Sequence, residues 1–202
     1  MKKILIATHN KAKEEYFKKL LNEFNLDFIS LAGLNIKEDA PEEEADEVGN
    51  ALSKARFYME KSREISLADD AGMYMDALGG KPGVQVRRWM GKFPDNISDK
   101  DWLDFFLKKM KGIPREKRSG KFKITRAIVT PGGEEFIIKW VREFFVAEEP
   151  NWDNYQKGWP MSTLYIEKGI GRSWVGMSWE ERLKLEKNNL IEFKKIFNKI
   201  YK

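Results

Sequence analysis

The sequence contains no cysteine and a single histidine among its 202 residues. The lack of cysteine excludes disulfide bonds, thiolate catalysis and cysteine-ligated zinc, so any metal chemistry falls to carboxylates. No apolar run approaches the roughly 20 residues that a membrane-spanning helix needs. The opening MKKILIATHN turns polar too early for the apolar core of a signal peptide. We therefore expect a cytoplasmic protein without a membrane partner.

Aromatic residues are plentiful: seven Trp, thirteen Phe and six Tyr supply the apolar area of a folded core. At this length we expect one domain covering residues 1–202. The net charge of +5 is unevenly spread, because residues 38–47 are strongly acidic and residues 108–123 strongly basic. A basic block can attract nucleic acid, but it is more often a solvated loop. Nucleic acid is therefore not the expected partner.

Three apolar runs in the first third of the chain are typical of short strands: residues 2–7, 26–31 and 65–68. Two patterns with helical spacing separate them. The first stripe consists of Tyr16, Phe17, Leu20, Leu21 and Phe24. The second consists of Val48, Ala51, Leu52, Ala55 and Met59. Strands that alternate with helices predict an α/β layer structure.

The rest of the chain carries two capping boxes and a hairpin signal. Ser98 with Asp101, and Ser178 with Glu181, each predict the start of a helix. Residues 122–130 and 135–146 flank the turn PGGE and predict an antiparallel hairpin. Either glycine of that turn can supply the positive φ that it needs.

The loop after the first strand is a candidate anion site. Thr8, Asn10 and Lys13 offer a hydroxyl, an amide and an ammonium group just before a helix, where free backbone N–H groups favour an anion. The glycine spacing of a P-loop is missing. The alternative is an ordinary helix cap with solvated lysines, and spacing alone favours that alternative.

The adjacent carboxylates Asp69 and Asp70 follow the third strand candidate. Ligands in α/β sheets usually bind at the carboxyl ends of strands. Two adjacent carboxylates repel each other, a cost that a divalent cation or a raised pKa on one member relieves. Oxygen ligands suit Mg²⁺ or Mn²⁺. With Glu42 in the acidic segment and Lys54 on the second helix, the set indicates metal-assisted phosphoryl chemistry. The alternative is a helix-capping aspartate with a solvated neighbour.

Three motifs resemble the Ham1 family, the inosine triphosphate pyrophosphatases that remove non-canonical purine nucleotides. ATHNKAK resembles the family's Thr-x-Asn-x-x-Lys, and NALSKA resembles its Asn-Ala-x-x-Lys-Ala helix. DDAGMYMDALGGKPGVQVRRW resembles its Asp-Asp-Ser-Gly-Leu…Leu-x-Gly-x-Pro-Gly…Arg-[Tyr/Trp] signature almost position by position. The likeness runs from Ile4 to about Met90 and weakens beyond it.

The resemblance implies an elongated mixed β-sheet with flanking helices, which form two lobes around a central cleft, and usually a homodimer. It implies hydrolysis of a nucleoside triphosphate between its α- and β-phosphates, giving the monophosphate and pyrophosphate. The resemblance implies phosphate binding by Thr8, Asn10, Lys13 and Lys54. It implies that Glu42 and Asp70 bind Mg²⁺, with Mn²⁺ as the alternative. It also implies that Asp70 activates water and that Asp69 supports the metal site.

Several positions depart from the family pattern. Gly49 stands where bacterial members usually carry Glu, and Ala71 stands beside the substrate where a Ser is usual. Residues 158–161 read Gly-Trp-Pro-Met without the family's aspartate, although Trp159 could still stack on a base. The Ser-His-Arg triplet that reads the purine has no counterpart in residues 185–193, LEKNNLIEF. This rewriting predicts weak or redirected base preference.

Two alternatives stay open. Other residues, such as Arg172 or Lys187, could rebuild the readout of the base. A non-catalytic or nucleic-acid-binding derivative of the same fold is the other functional class, and the basic block is its only support.

Overall fold

The computed structural model describes residues 2–94 and 96–201. Within these residues the chain forms four α-helices and a seven-stranded mixed sheet, which confirms the α/β class. The helices are α1 (Lys11–Leu20), α2 (Glu47–Ser62), α3 (Asp99–Met110) and α4 (Trp179–Ile200). The strands are β1 (Lys3–Ile6), β2 (Asp27–Ser30), β3 (Ser66–Met75), β4 (Pro82–Gly83), β5 (Ser119–Val129), β6 (Glu135–Val146) and β7 (Tyr165–Glu167).

The strand order is β2-β1-β3-β5-β6-β7, and β4 pairs with β3. β1 is parallel to both β2 and β3, whereas β3–β4 and β6–β7 are antiparallel pairs. Leu5 lies level with Ser66, and Ile6 lies level with Leu67. Because β1 ends at Ile6, the loop that follows it lies beside the next residues of β3.

The third strand is longer than its sequence predicted. Residues 65–68 were expected to end at the paired aspartates, but β3 runs from Ser66 to Met75, with both aspartates inside it. The charged pair breaks the apolar pattern, yet the strand continues because β5 lies beside it and β4 pairs with its last residues. The prediction that the aspartates follow a strand end was therefore wrong.

Both capping boxes and the hairpin are confirmed. Ser98 Oγ accepts a hydrogen bond from the N–H of Asp101 at 3.0 Å, and α3 begins at the next residue after Ser98. At α4, the N–H of Glu181 donates to Ser178 Oγ at 3.2 Å. The hairpin joins β5 to β6, and Gly133 supplies the positive φ, at 83°.

The predicted apolar stripes of the first two helices are partly wrong. α1 ends at Leu20, and the stripe continues into a separate 3₁₀ turn, Asn22–Phe24. On α2, Ala51 and Ala55 are buried as predicted, but the other fully buried side chains of this face include Asn50 and Tyr58. Val48, Leu52 and Met59 are only partly buried. The buried face differs from the prediction because Asn50 contacts Asp70 of β3.

The chain divides into two compact units. The first contains residues up to 71, residues 124–140 and residues from 183 onward, and the second contains residues 72–123 and 141–182. Every predicted phosphate- and metal-binding residue belongs to the first unit, and Trp159 belongs to the second. None of the helices in the described part of the chain is long and apolar enough to cross a membrane.

One arginine of the basic block is a structural residue of the second unit. Arg118 is 5% exposed. Its guanidinium donates to the backbone carbonyls of Met110 at 3.0 Å, Val146 at 3.1 Å and Ala147 at 3.0 Å. It thus connects the end of α3 to the end of β6. The Arg118 guanidinium therefore stabilises the fold, and because it is buried it does not form part of a surface that could bind nucleic acid.

Candidate functional site

The loop between β1 and α1 is organised by its own polar side chains. Asn10 is the N-cap of α1, and its Oδ1 accepts hydrogen bonds from the N–H groups of Ala12 at 2.9 Å and Lys13 at 3.3 Å. Thr8 Oγ1 accepts one from the N–H of Asn10 at 3.2 Å. For the Asn10 side chain, the helix-cap alternative is therefore confirmed.

Lys13 reaches back from α1 to the paired aspartates. Its Nζ donates to both carboxylate oxygens of Asp69, at 3.2 and 3.1 Å. Burial alone would raise the pKa of Asp69, but the charges of Lys13 and Lys54 outweigh it and hold this pKa below its ordinary value. Asp69 is thus kept ionised, and Lys13 is not merely a solvated lysine.

Lys54 joins the other aspartate to the acidic segment, residues 38–47. Its Nζ lies 2.6 Å from Asp70 Oδ1 and 2.8 Å from Glu42 Oε1. The side chains of Lys54 and Asp70 are each only 12% exposed. Burial would lower the pKa of Lys54, but its two carboxylate partners raise it above its ordinary value. The ammonium group is therefore firmly charged.

The two adjacent aspartates differ in their protonation equilibria. Burial raises the pKa of Asp70, and the charge of Lys54 offsets this only in part. Asp69 shifts in the opposite direction. The repulsion between neighbouring carboxylates is thus relieved in two ways, by a lysine beside each and by a raised pKa on Asp70.

Sequence reasoning assigned no role to Asn50, which the structure brings into this group. Asn50 is 4% exposed, and its Nδ2 donates to Asp70 Oδ2 at 3.4 Å. Its Oδ1 accepts a hydrogen bond from the backbone N–H of Glu44 at 3.1 Å. The available signal was the NALSKA motif, since residues four apart lie on one helix face and Asn50 precedes Lys54 by four.

The carboxylates of Glu42 and Asp70 fit a shared cation. Oxygens of both lie within 2.8 Å of a single atom, Lys54 Nζ, so one positive charge can contact both. Among the described residues, no group of three or more histidine, aspartate and glutamate side chains is arranged to hold a metal ion. Mg²⁺ is commonly held by one or two carboxylates, with water and substrate phosphates as its other ligands. The pair suits that kind of site and not an all-protein cage.

The two remaining predicted substrate contacts differ in position. Ala71 follows Asp70 within β3, is partly exposed, and its methyl group cannot form hydrogen bonds. Trp159 lies in the second unit, where its ring centroid is 5.8 Å from that of Tyr165 and 6.5 Å from that of Phe122. Its stacking on a base stays a prediction.

Residues 185–193 of α4, where the base-reading triplet is missing, are built into the first unit. Glu186 is 0% exposed and accepts two hydrogen bonds of 2.7 Å from the guanidinium of Arg126. Asn189 Nδ2 donates to it at 2.7 Å, and the hydroxyl of Tyr16 donates as well. Of the four polar residues there, Lys187 and Asn188 are exposed. The side chains of Glu186 and Asn189 therefore already form buried hydrogen bonds within the first unit.

Comparisons of the sequence with known proteins find similar chains. A sequence model of the Ham1 family matches residues 4–186. The chain is 35% identical over 184 residues to a dITP/XTP pyrophosphatase of Thermoanaerobacter sp. (strain X514), covering 91% of this chain and 89% of that protein. It is 31% identical over 185 residues to a dITP/XTP pyrophosphatase of Bacillus subtilis (strain 168), covering 92% of this chain and 90% of that protein.

Solved structures show the same fold. A nucleoside-triphosphatase (dITP/XTP pyrophosphatase) from Mycobacterium abscessus superposes with a TM-score of 0.69 at 30% identity, covering 92% of this chain and 94% of that one. A HAM1 protein from Coxiella burnetii superposes with a TM-score of 0.78 at 24% identity, covering 96% of this chain and 100% of that one. The second likeness concerns the fold alone.

Proposed function

We propose a nucleotide-hydrolysing function for this chain, which belongs to the Ham1 family. It is a nucleoside triphosphate pyrophosphohydrolase that cleaves the bond between the α- and β-phosphates and releases the monophosphate and pyrophosphate. One observation carries the proposal: Lys54 bridges Glu42 and Asp70 beside the Lys13–Asp69 pair. This network combines charged donors for phosphate with carboxylates for a cation and for the proton of water.

In this function the phosphates are held at the start of α1 and by the two lysines. The positive end of the helix dipole favours an anion, and ammonium groups are strong donors to a phosphate oxygen. Thr8 and Asn10 shape the loop, and Lys13 and Lys54 supply the charge. A triphosphate arriving there takes hydrogen bonds that the lysines otherwise donate to the carboxylates.

Glu42 and Asp70 would hold Mg²⁺, or Mn²⁺ as the alternative, with Asp69 supporting the site. When bound, the ion would supply positive charge that neutralises the phosphate oxygens. Asp70 would accept the proton of the attacking water. Asp69 stays ionised because Lys13 lowers its pKa, so the two aspartates can take different roles.

Base preference is where this chain is expected to differ from its relatives. Glu186 and Asn189 form hydrogen bonds in the core, and Arg172 donates to Glu181. These polar side chains therefore already have hydrogen-bond partners and are poorly placed to recognise a base. Lys187 is the exception, because it is exposed. Trp159 would stack on any base, since every base has a π-face. We expect little discrimination between inosine, adenosine and guanosine triphosphates, or a preference for another base.

The test is a screen of nucleoside triphosphates with Mg²⁺ that scores release of pyrophosphate against release of phosphate. Pyrophosphate release supports the proposed reaction, and phosphate release or inactivity with every triphosphate contradicts it. The same screen compares kcat/KM for inosine, xanthosine, adenosine, guanosine and pyrimidine triphosphates in ribo and deoxy forms. A preference for inosine or xanthosine triphosphate above about a hundredfold, some 2.7 kcal/mol, contradicts the relaxed base preference alone.

Assembly is a separate proposal. The resemblance predicts a homodimer, which sedimentation or light scattering of the full chain would test.

A further inference from the structure

The first turn of α2 carries a glycine that backbone conformation does not require. Gly49 has the φ of an ordinary helical residue, and alanine is the better helix former at such a position. A Cβ atom at Gly49, however, would lie 2.7 Å from Cβ of Glu44 and 3.0 Å from its Cγ. The acidic segment therefore runs directly against the helix here, and a glycine is what leaves it room.

The next residue binds the same segment from the other side. Asn50 Oδ1 accepts a hydrogen bond from the backbone N–H of Glu44 at 3.1 Å, while its Nδ2 donates to Asp70 Oδ2 at 3.4 Å. One buried amide thus contacts both the acidic segment and an aspartate of the site. Glu44 lies only two residues from Glu42, so the position of its backbone limits where the Glu42 carboxylate can reach.

A third contact closes the segment onto the helix. Asp46 is the N-cap of α2, and its Oδ1 accepts hydrogen bonds from the N–H groups of Val48 at 3.1 Å and Gly49 at 2.8 Å. The segment is therefore held at Glu44 and again at Asp46. On the other side of Glu42, the N–H of Ala40 donates to the hydroxyl of Tyr58 at 3.2 Å, and between these contacts Glu42 Oε1 accepts a hydrogen bond from Lys54 Nζ at 2.8 Å.

We propose that Gly49 and Asn50 form a seat for the acidic segment, which places the carboxylate of Glu42 opposite Asp70. Both are positioning residues, because neither has to touch the substrate. The inference rests on the proposed function for the roles of Glu42 and Asp70 as metal ligands. It also explains why residue 49 is a glycine: the Glu44 side chain occupies the space that a Cβ atom would fill.

The first test is Gly49→Ala, with Mn²⁺ binding to the full chain measured by titration calorimetry. The added methyl group must displace Glu44, so we expect Mn²⁺ to bind about tenfold more weakly, as is typical when support for a metal ligand is lost. Glu44→Gly in the same background removes the clashing atoms and should restore the affinity to within about twofold. The matched control is Glu43→Gly in that background, which makes the same change of charge and flexibility and should restore nothing.

Either of two results overturns the seat. One is unchanged Mn²⁺ affinity in Gly49→Ala, and the other is equal rescue by Glu43→Gly and Glu44→Gly. Absence of measurable Mn²⁺ binding by the wild-type chain also overturns it, because Glu42 would then have no metal to position.

The second test does not depend on metal or activity. Asn50→Leu removes the acceptor of the Glu44 N–H, so hydrogen exchange of residues 43–46 should become about tenfold faster or more. Unchanged exchange in a folded variant contradicts the seat. If Asn50→Leu fails to fold, the Mn²⁺ affinities of Gly49→Ala and its two double variants still test the seat. If the wild-type chain cleaves no triphosphate while exchange and rescue behave as expected, the proposed function fails and the seat stands.

Discussion

The buried ion pair between Arg126 and Glu186 of α4 gives the sharpest prediction for stability. Glu186→Gln keeps the size of the side chain and one acceptor oxygen, but it removes the charge opposite Arg126. Arg126 is 3% exposed and Glu186 is 0% exposed, so water cannot replace the lost carboxylate. The variant therefore leaves a guanidinium buried without its counter-charge.

The size of the effect follows from that burial. Breaking a buried ion pair by removing one partner costs about 3–5 kcal/mol. Since glutamine retains part of the hydrogen bonding, we expect the free energy of unfolding to fall by about 3 kcal/mol, at the low end of that range. For a chain of this length, each kcal/mol lowers the unfolding temperature by about 2–4 °C, so the melting temperature should fall by about 6–12 °C.

The effect should depend on pH in a known direction. Burial raises the pKa of Glu186, but the hydrogen bond and charge of Arg126, with the donors Tyr16 and Asn189, bring it below its ordinary value. A lowered pKa in the folded state means that the ion pair stabilises fully above the unfolded-state pKa of about 4.3. This stabilisation is lost as the pH falls through the lower folded-state pKa. The difference between wild type and variant should therefore be large at neutral pH and shrink in acid.

The assay is urea unfolding of both proteins at pH 7 and in acid. The dependence of the unfolding free energy on urea concentration is compared between the two proteins. Glu192→Gln is the matched control, because Glu192 lies on the same helix and is 48% exposed, 2.7 Å from Lys195. Exposed pairs of this kind contribute little, so the control should stay within about 0.5 kcal/mol of wild type. A loss below about 1 kcal/mol in Glu186→Gln at pH 7 would refute the reasoning, and so would a loss that does not depend on pH.

Three further predictions concern the proposed reaction. Asp70→Asn should lower kcat by about 10³-fold or more, and wild-type-like turnover would end the mechanism. Asp69→Asn and Glu42→Gln should raise the metal concentration needed for half-maximal activity; unchanged metal dependence in both would remove them from the site. Lys13→Ala should raise KM for the triphosphate and leave binding of the nucleoside unchanged, because the lost interaction is with phosphate charge. Equal losses for both ligands would indicate a general structural defect.

The elements that the sequence predicted well depend on local chemistry. A capping box such as Ser98 with Asp101 acts within one helical turn, so the sequence alone contains both partners of the hydrogen bond. The β5–β6 hairpin depends on a short turn in the same way. The phosphate- and metal-binding candidates were found through motifs, and the structure brings the charged ones together in ion pairs.

The features that the sequence did not predict depend on distant partners. β3 continues through Asp69 and Asp70 because of neighbouring strands, and no pattern within residues 66–75 signals that extension. The burial of Glu186 depends on Arg126, which is 60 residues away, so nothing within its own helix predicts it. The contact between Gly49 and Glu44 depends on how a loop returns to its own helix. Such contacts require the tertiary structure.

The continuation of β3 through Asp69 and Asp70 also bears on entropy. Ordering one residue of a flexible loop costs about 1–2 kcal/mol in backbone entropy. If the two aspartates lay on a mobile loop, each binding event would have to bear that cost. Because they belong to a strand, their backbone is ordered when the chain folds, and ligand binding need only rearrange the lysine side chains that contact them. Ordering of the backbone around Asp69 and Asp70 should therefore contribute little to the temperature dependence of substrate affinity. The affinity should depend strongly on the charges of Lys13 and Lys54.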